Sequence, residues 1–124
     1  MNGFGLFLWK DGRSYKGEYK DDKKHNFGIY YGNEGKKYEG FWDDGSQRNL
    51  GKYTKKDGSF KIGLWKEHLL VKPTNAENEI AVKLTEIDNC VEETLNRVDT
   101  VLAIFKNLFN EFLPDIDLES LLTF

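Results

Sequence analysis

The chain has 124 residues, 39% hydrophobic, 31% charged and 15% aromatic, with a formal net charge of −3; this is room for one domain, or one domain with an appendage. Nine Phe, six Tyr and three Trp argue against a disordered chain, since each large ring brings apolar surface that folding can bury. A single cysteine excludes an intrachain disulfide, and no run of the sequence approaches the ~20 apolar residues of a membrane-spanning helix.

Charge divides the chain into two unequal parts. Residues 1–72 carry 15 Lys and Arg against 10 Asp and Glu, whereas residues 73–124 carry 3 against 11. Two interpretations are open. The acidic part could dock on the basic part of the same chain, or the basic part could face an acidic partner or an anionic membrane.

The first predicted element is a β-hairpin near the beginning of the chain. One strand runs Gly5–Trp9, the turn is Lys10–Gly12 and the second strand runs Ser14–Tyr19. The turn contains Asp-Gly, which suits tight hairpins because they need residues that tolerate positive φ. No capping segment precedes the apolar stretch Phe4–Trp9, so we expect either strand addition by a partner at this edge or further repeats in a longer array.

This hairpin recurs with a period of 23 residues and no insertion. The period relates several sets of positions: Gly5, Gly28 and Gly51; Gly12, Gly35 and Gly58; Gly17, Gly40 and Gly63; Tyr19, Trp42 and Trp65. The agreement predicts three hairpins side by side, each in contact only with its neighbours, in a sheet over residues 1–72. Lys61 departs from the pattern, because the first two copies have tyrosine at that position.

Aromatic residues and glycine alternate with polar residues in the second strand of each hairpin. Tyr15, Gly17 and Tyr19 share one face of the first copy. A glycine between two rings leaves space for a ring over the backbone, which predicts a ladder of rings along this face. We expect the ladder to form a partner-binding groove: Phe7, Tyr15, Tyr19, Tyr30, Tyr38, Trp42, Tyr53 and Trp65. It is equally consistent with stacking that holds the repeats together.

The segments Asp11–Tyr19, Lys36–Trp42 and Asp57–Trp65 resemble MORN (membrane occupation and recognition nexus) repeats, and the resemblance covers roughly residues 3–70. Asparagine replaces the first glycine of the family's opening pair at Asn26 and Asn49. The resemblance implies an elongated, twisted antiparallel sheet with an aromatic groove. It also implies an adaptor or scaffold in cytoskeletal, ciliary or membrane-contact assemblies, with a groove that can hold a helix; phosphoinositide binding has been attributed to such repeats too.

A long amphipathic helix is predicted over residues 73–114, opened by a capping box at Thr74–Glu77 and ended by Pro114. Apolar residues recur in steps of four and three, the heptad spacing of a coiled-coil seam, with Thr94 as the polar exception. We expect the seam and the residues that widen it to bind a partner: Ile80, Leu84, Ile87, Val91, Val98, Val101, Leu102, Phe105, Leu108, Phe109 and Phe112. Residues 115–124 are predicted to add a short helical segment. The fold class is therefore α+β.

The predicted helix is longer than the predicted sheet is wide. A helix from Glu77 to Leu113 spans ~55 Å at ~1.5 Å per residue, whereas six strands ~4.8 Å apart span ~29 Å. About half of the apolar seam would then lie beyond the sheet if the helix crosses the strands. We expect a second copy or another subunit to cover it, so that the isolated chain is not a stable monomer.

The sequence contains no catalytic, cofactor-binding or metal-ligating pattern: no phosphate loop, zinc spacing or nucleophile elbow. His25 and His68 have no companion at ligand spacing, and Asp115 and Asp117 lack the other ligands of a calcium loop. The acidic balance of the whole chain argues against nucleic acid as a partner. We therefore expect a protein that is not an enzyme and needs no cofactor.

The leading functional hypothesis is a non-catalytic scaffold module that docks through the aromatic groove and the heptad-patterned helix. We expect it to be intracellular, cytoplasmic and part of a larger cytoskeletal assembly, with cilium and axoneme as examples. The alternative is a peripheral membrane adaptor whose basic residues 1–72 contact anionic phospholipids; that contact is expected to be weak, because lysine pairs without a hydrophobic anchor bind membranes poorly. A third hypothesis is a regulatory fragment of a larger enzyme.

Overall fold

Seven antiparallel strands and one long helix make up the part of the chain that the structure, a computed structural model, describes: the backbone of residues 2–112 and the side chains of residues 2–108. Neighbouring strands follow chain order: β1 Gly3–Leu8, β2 Ser14–Lys20, β3 Lys23–Tyr31, β4 Lys37–Asp43, β5 Ser46–Thr54, β6 Phe60–Lys66 and β7 Leu69–Pro73. A 3₁₀ turn at Asn33–Gly35 joins β3 to β4, and the helix α1 spans Glu77–Phe112. The predicted α+β class, a hairpin-repeat sheet with one C-terminal helix, is confirmed.

The sheet has one strand more than three hairpins supply. β7 pairs with β6, and the N–H of Thr74 then donates a hydrogen bond to the carbonyl of Ile62 at 2.9 Å. Thr74 therefore belongs to the edge of the sheet and does not cap the helix, contrary to the prediction from the sequence. The helix α1 begins at Glu77, and the carbonyl of Ala76, just before it, accepts a hydrogen bond from the N–H of Ile80. The predicted segment 115–124 lies outside the described residues.

Two kinds of turn alternate along the sheet. The turns after β1, β3 and β5 contain the repeated glycines. The turns after β2, β4 and β6 have two residues, both with positive φ: Asp21 and Asp22 (52° and 65°), Asp44 and Gly45 (51° and 87°), and Glu67 and His68 (49° and 72°). Such pairs form type I′ turns, whose twist matches that of the flanking strands. They also recur every 23 residues, but without a fixed residue type, so the sequence pattern does not reveal them.

A residue with positive φ recurs at one repeat position of β1, β3 and β5. Asn26 and Asn49 have φ values of 52° and 64°, and each lies where the pairing with the preceding strand shifts register. Gly3, at the equivalent position of β1, has a φ of 95°. Asparagine is one of the few residues that adopt this conformation routinely, so its replacement of the family's glycine preserves the backbone.

The two faces of the sheet carry different clusters. The ring face is built on Tyr15, Tyr19, Tyr38, Trp42 and Trp65. On the opposite face, here called the helix face, a second cluster joins Phe27, Ile29 and Ile62 of the sheet to Ile87 of α1. The faces are opposite because side chains alternate along a strand, and Ile29 lies between Gly28 and Tyr30 of the ring face.

Helix α1 crosses the strands of the helix face and then leaves the sheet. Near its start, Ile80 packs against the cluster that contains Ile62 of β6. Five turns later the guanidinium of Arg97 lies 5.1 Å from the ring centroid of Phe4 in β1. The helix continues beyond this edge strand to Phe112. The stretch of the acidic part from Ile80 to Arg97 thus packs on the basic part, on the face away from the aromatic ladder.

Candidate interaction site

The ring face is organised by tyrosines that lie over glycines. A Cβ atom added to Gly28 would lie 1.9 Å from the hydroxyl oxygen of Tyr15, and one added to Gly51 would lie 2.1 Å from that of Tyr38. Each of these glycines faces a second glycine in the strand before it. A Cβ atom added to Gly17 would lie 2.7 Å from the Cα of Gly28, and one added to Gly40 would lie 2.6 Å from the Cα of Gly51. The steric reason inferred from the sequence, a ring over the glycine, is confirmed for Gly17 and Gly40. It is wrong for Gly63, where an added Cβ would meet the backbone of β7.

Tryptophans from the following hairpin complete each unit. The indole N–H of Trp42 donates to the carbonyl of Gly28 at 3.2 Å, and that of Trp65 donates to the carbonyl of Gly51 at 2.9 Å. Each indole also meets a tyrosine edge to face, with ring centroids 5.8 Å apart for Tyr15 and Trp42 and 5.5 Å apart for Tyr38 and Trp65. Edge-to-face pairs of this kind contribute ~0.5–1.5 kcal/mol beyond burial. These contacts hold neighbouring hairpins together.

The eight aromatic residues predicted to bind a partner divide into two groups. Five are buried by one another: Tyr15, Tyr19, Tyr38, Trp42 and Trp65. Three keep accessible surface: Phe7, which is 38% exposed, and the half-buried Tyr30 and Tyr53. The surface that a partner can reach on the ring face is therefore Phe7, Tyr30 and Tyr53, with the half-buried Trp9 beside them.

Burial changes the acidity of the ring-face tyrosines. It raises the pKa of Tyr19 to about 12, and it raises the pKa of Tyr15 and of Tyr38 further, because the phenolate would lose its water. The neighbouring Tyr19 and Glu18 add to the effect on the Tyr15 pKa. All three groups favour the neutral form in the folded state.

A spectrophotometric titration should detect these tyrosines. At about pH 11, one unit above the ordinary tyrosine pKa of about 10, Tyr15, Tyr19 and Tyr38 should stay protonated in the folded chain. An unfolded chain loses these protons near pH 10, so the free energy of unfolding should fall as the pH rises above that value. The check is phenolate absorbance with and without denaturant. Identical titration curves for all tyrosines in both states would contradict the buried arrangement.

A lysine that the sequence analysis missed lies among the rings. The Nζ atom of Lys24 is 5.2–5.8 Å from four ring centroids, those of Trp9, Tyr15, Tyr30 and Trp42. Burial lowers the pKa of Lys24, and repulsion from the Arg13 guanidinium lowers it further. The residues one and two periods later are Gln47 and Leu70. Because this position changes its chemistry in every copy, a search for repeated residue types overlooks it.

The heptad seam of α1 divides at the edge of the sheet. Ile87 and Val98 are fully buried, and Ile80, Leu84 and Val91 are half-buried against the helix face. Beyond β1, Val101 is 41%, Ile104 57% and Leu108 51% exposed. The other predicted residues of this end are Leu102, which is half-buried, Phe105, which is half-exposed, and Phe109 and Phe112, whose side chains lie outside the described residues.

An open groove forms where α1 leaves the sheet. Its volume is about 620 Å³, and its walls include Phe4 of β1 and Arg97, Thr100 and Val101 of α1. Among the described residues, β1 pairs with β2 and with no other strand. The rest of its lining is polar and comes from α1: Asn89, Glu92, Glu93 and Asn96. This corner thus combines an open strand edge with a helix surface that is polar apart from Val101.

Few groups offer other chemistry. Across residues 2–112, no cluster of three or more His, Cys, Asp and Glu could hold a metal ion, and no helix is long and apolar enough to span a bilayer. Cys90 is half-buried in the helix-face cluster. Burial raises the pKa of its thiol, and Glu93 and Glu86 raise it further, so the thiolate that nucleophilic chemistry requires is disfavoured.

Comparison with known proteins agrees with this geometry. The family model of the MORN repeat matches residues 1–12, 15–37 and 38–60. The second and third matches begin at Tyr15 and Tyr38, the residues whose rings cover the glycines, and each contains two strands. A search of the curated proteins found no match.

Proposed function

Residues 1–60 of this chain are MORN repeats, modules that mediate interactions with proteins or membranes, and we propose that the chain is a non-catalytic docking module for another protein chain. In this proposal the sheet holds α1 in a fixed direction. The helix segment from Val101 to Leu108 forms the principal binding surface, and the accessible rings of the ring face form a smaller one.

The main support for this proposal is the difference in burial between two residues at the same heptad position of α1. Ile87 and Val101 occupy the same heptad position two heptads apart, yet Ile87 is completely buried and Val101 is 41% exposed. Full burial of such a side chain is worth ~1.5–3 kcal/mol. Val101, Ile104 and Leu108 each retain about half of their surface, so a partner that covers all three would gain ~2–4 kcal/mol from these side chains before the costs of association.

The spacing of the exposed residues favours a helix as the partner. Residues at alternating steps of three and four on one helix fit between those of a second helix, as in a coiled coil. The partner would therefore be an amphipathic helix of another subunit. In a purified preparation without that subunit, a second copy of this chain would take its place.

Sedimentation velocity over a wide range of concentration tests the proposal. The wild-type chain should sediment as a larger species as its concentration rises. Val101→Asp combined with Leu108→Asp should give a monomer with an unchanged far-UV spectrum, because carboxylates cannot be buried in an apolar helix contact. The control is Val82→Asp: this valine is 59% exposed on α1 but lies outside the seam, so association should persist. A wild-type chain that stays monomeric at every concentration would contradict the proposal.

The membrane-adaptor alternative has less support. Four of the six lysines that occur in pairs near the turns are already engaged: Lys23 with Asp44, Lys37 with Glu39, Lys56 with Glu34, and Lys24 with the rings. Flotation with liposomes that contain phosphoinositide, at physiological salt, separates the two functions. Strong, lipid-specific flotation would favour the membrane role.

The cellular setting of the proposal follows from the family resemblance alone. We place the module in an intracellular cytoskeletal assembly, with a ciliary or axonemal one as the first to examine. The position of a tagged chain relative to cytoskeletal markers is the corresponding measurement.

A further inference from the structure

Strand β1 resembles β3 and β5 in sequence but differs from them in its surroundings. Gly5, Gly28 and Gly51 occupy the same repeat position. Gly28 and Gly51 are covered by tyrosine rings from the strand before them, so a Cβ atom at either would overlap a ring. A Cβ atom at Gly5 would meet no neighbouring atom of the described chain within 4 Å. The space above Gly5 is open, and it corresponds to the space that a tyrosine ring occupies above Gly28 and above Gly51.

Part of the wall of that space is already present. Tyr15 is bounded on one side by Trp42, 27 residues later in the chain, and Tyr38 is bounded in the same way by Trp65. Tyr19 is the residue equivalent to Trp42 and Trp65 one repeat earlier, and it lies on the ring face beside Gly17. A tyrosine ring placed over Gly5 would therefore meet Tyr19 as its aromatic neighbour.

The backbone of β1 is also shaped for a strand on its outer side. Asn26 and Asn49 adopt positive φ where β3 and β5 shift register against the strand before them. Gly3, at the same repeat position, also has a positive φ, 95°, although no described strand lies on that side of β1. A strand added there would pair next to a residue of positive φ, as β2 does with Asn26 in β3.

The helix covers the opposite side of the same position. Beyond β1, the groove between Phe4 and Val101 lies on the helix face. In β4 the residue after the glycine is Phe41, which packs in the helix-face cluster with α1. A strand of the β4 type added next to β1 would present its equivalent phenylalanine to this groove. The two sides of such a strand would then have separate contacts, the ring face for its tyrosine and α1 for its phenylalanine.

From these four features we propose that the outer edge of β1 binds an extended strand of another protein with the sequence Tyr-x-Gly-x-aromatic. The strand adds antiparallel to β1, and its tyrosine ring lies over Gly5. Backbone hydrogen bonds along the open edge supply affinity, and the tyrosine and glycine supply selectivity. A strand without that glycine could not approach Gly5 as closely as Gly17 approaches Gly28.

A different protein is the favoured source of this strand, as opposed to a second copy of the chain. Among the described residues the strands with a free edge are β1 and β7. Neither contains a tyrosine or a Tyr-x-Gly sequence, and Pro73 of β7 has no N–H to donate. The strands of this chain that do contain the sequence, β2 and β4, are paired on both sides.

A synthetic peptide that copies residues 36–44, the β4 strand with its flanks, tests this proposal by fluorescence anisotropy. It should bind the full chain. Gly5→Val should weaken binding about tenfold or more, the effect of removing an anchor ring from its site, because the added side chain fills the space over Gly5. A peptide with serine in place of its tyrosine should lose affinity to a similar degree, which keeps the test valid if the Gly5 variant folds poorly. Lys72→Val, on the other edge strand, should leave binding unchanged.

Hydrogen exchange locates the site. Peptide binding should slow exchange of amides in Gly3–Leu8 and leave the other edge strand unaffected. The proposal would be overturned if neither Gly5→Val nor loss of the tyrosine from the peptide changed the affinity. It would also be overturned if the peptide slowed amide exchange in another part of the chain and not in Gly3–Leu8. Protection of Gly3–Leu8 that rises with protein concentration and needs no peptide would overturn the choice of a different protein. The Gly5→Val variant and the tyrosine of the peptide both report on the ring face, whereas Val101 and Leu108 lie on α1 across the sheet, so the two proposals can fail separately.

Discussion

Gly28→Ala should lower the free energy of unfolding by about 3–5 kcal/mol, as large as the loss of a buried aromatic side chain from a core. The new methyl group would lie 1.9 Å from the Tyr15 hydroxyl oxygen and 2.3 Å from its Cζ atom. Tyr15 has no exposed surface and is in contact with Tyr19 and Trp42, so its ring can move only if it leaves the cluster. For a small sheet this is a large part of the total stability.

Gly5→Ala is the matched control, because it makes the same chemical change at the same repeat position with open space above it. Its unfolding free energy should stay within about 0.5 kcal/mol of the wild-type value. Denaturant unfolding followed by tryptophan fluorescence measures both variants. Combining Gly28→Ala with Tyr15→Leu should cost less than the two single changes together, since the clash and its partner are removed at once. Equal costs for Gly28→Ala and Gly5→Ala would show that the ring does not lie over Gly28.

Ile87→Asp should detach α1 from the sheet, at a cost of about 3–5 kcal/mol. Ile87 is fully buried between the helix and the residues Phe27, Ile29 and Ile62. A carboxylate there would be removed from water and placed in an apolar cluster. Exposure of the helix face should also make the variant prone to aggregation.

The single cysteine provides a direct readout of detachment. Cys90 is half-buried in the same cluster, so its thiol should react slowly with a disulfide reagent in the wild-type chain and several-fold faster in Ile87→Asp. Val101→Asp changes the same heptad position beyond the sheet, where the side chain is 41% exposed. At concentrations at which the chain is monomeric it should leave thiol reactivity unchanged and lower the unfolding free energy by only about 1 kcal/mol. If both variants behaved alike, the division of the seam at the edge of β1 would be wrong.

The repeat itself could be predicted because its chemistry recurs. Glycine between rings, Asp-Gly turns and a 23-residue period together predict hairpins that lie side by side in one sheet, which is the arrangement found. The heptad spacing likewise predicted a single long helix, and comparison of lengths predicted that its far end extends beyond the sheet. The face on which the helix packs could not be obtained in this way.

The reason lies in the residues of the helix face, several of which do not follow the period. Ile29 corresponds to Leu6 and Lys52 in the other copies, and Ile62 corresponds to Lys16 and Glu39. These positions look polar in one hairpin and apolar in the next, because only some of them lie beneath α1. The aromatic residues of the ring face repeat in every copy apart from Lys61, and this face was therefore expected to bind a partner, whereas most of its rings are covered by one another. Lys24 was overlooked for a related reason, since no other copy has lysine at that position.

The path of α1 across the strands has a consequence for arrays of other lengths. Each 23-residue unit adds two strands, about 9.6 Å of sheet width at about 4.8 Å per strand, and one heptad adds about 10.5 Å of helix at about 1.5 Å per residue. The two periods nearly coincide, so a unit gained or lost by duplication or deletion changes the exposed length of helix by close to seven residues. The helix would then leave the new edge of the sheet at the same heptad position as before. The exposed part of the seam would be one heptad longer or shorter, so a partner helix could bind in the same register with a different affinity.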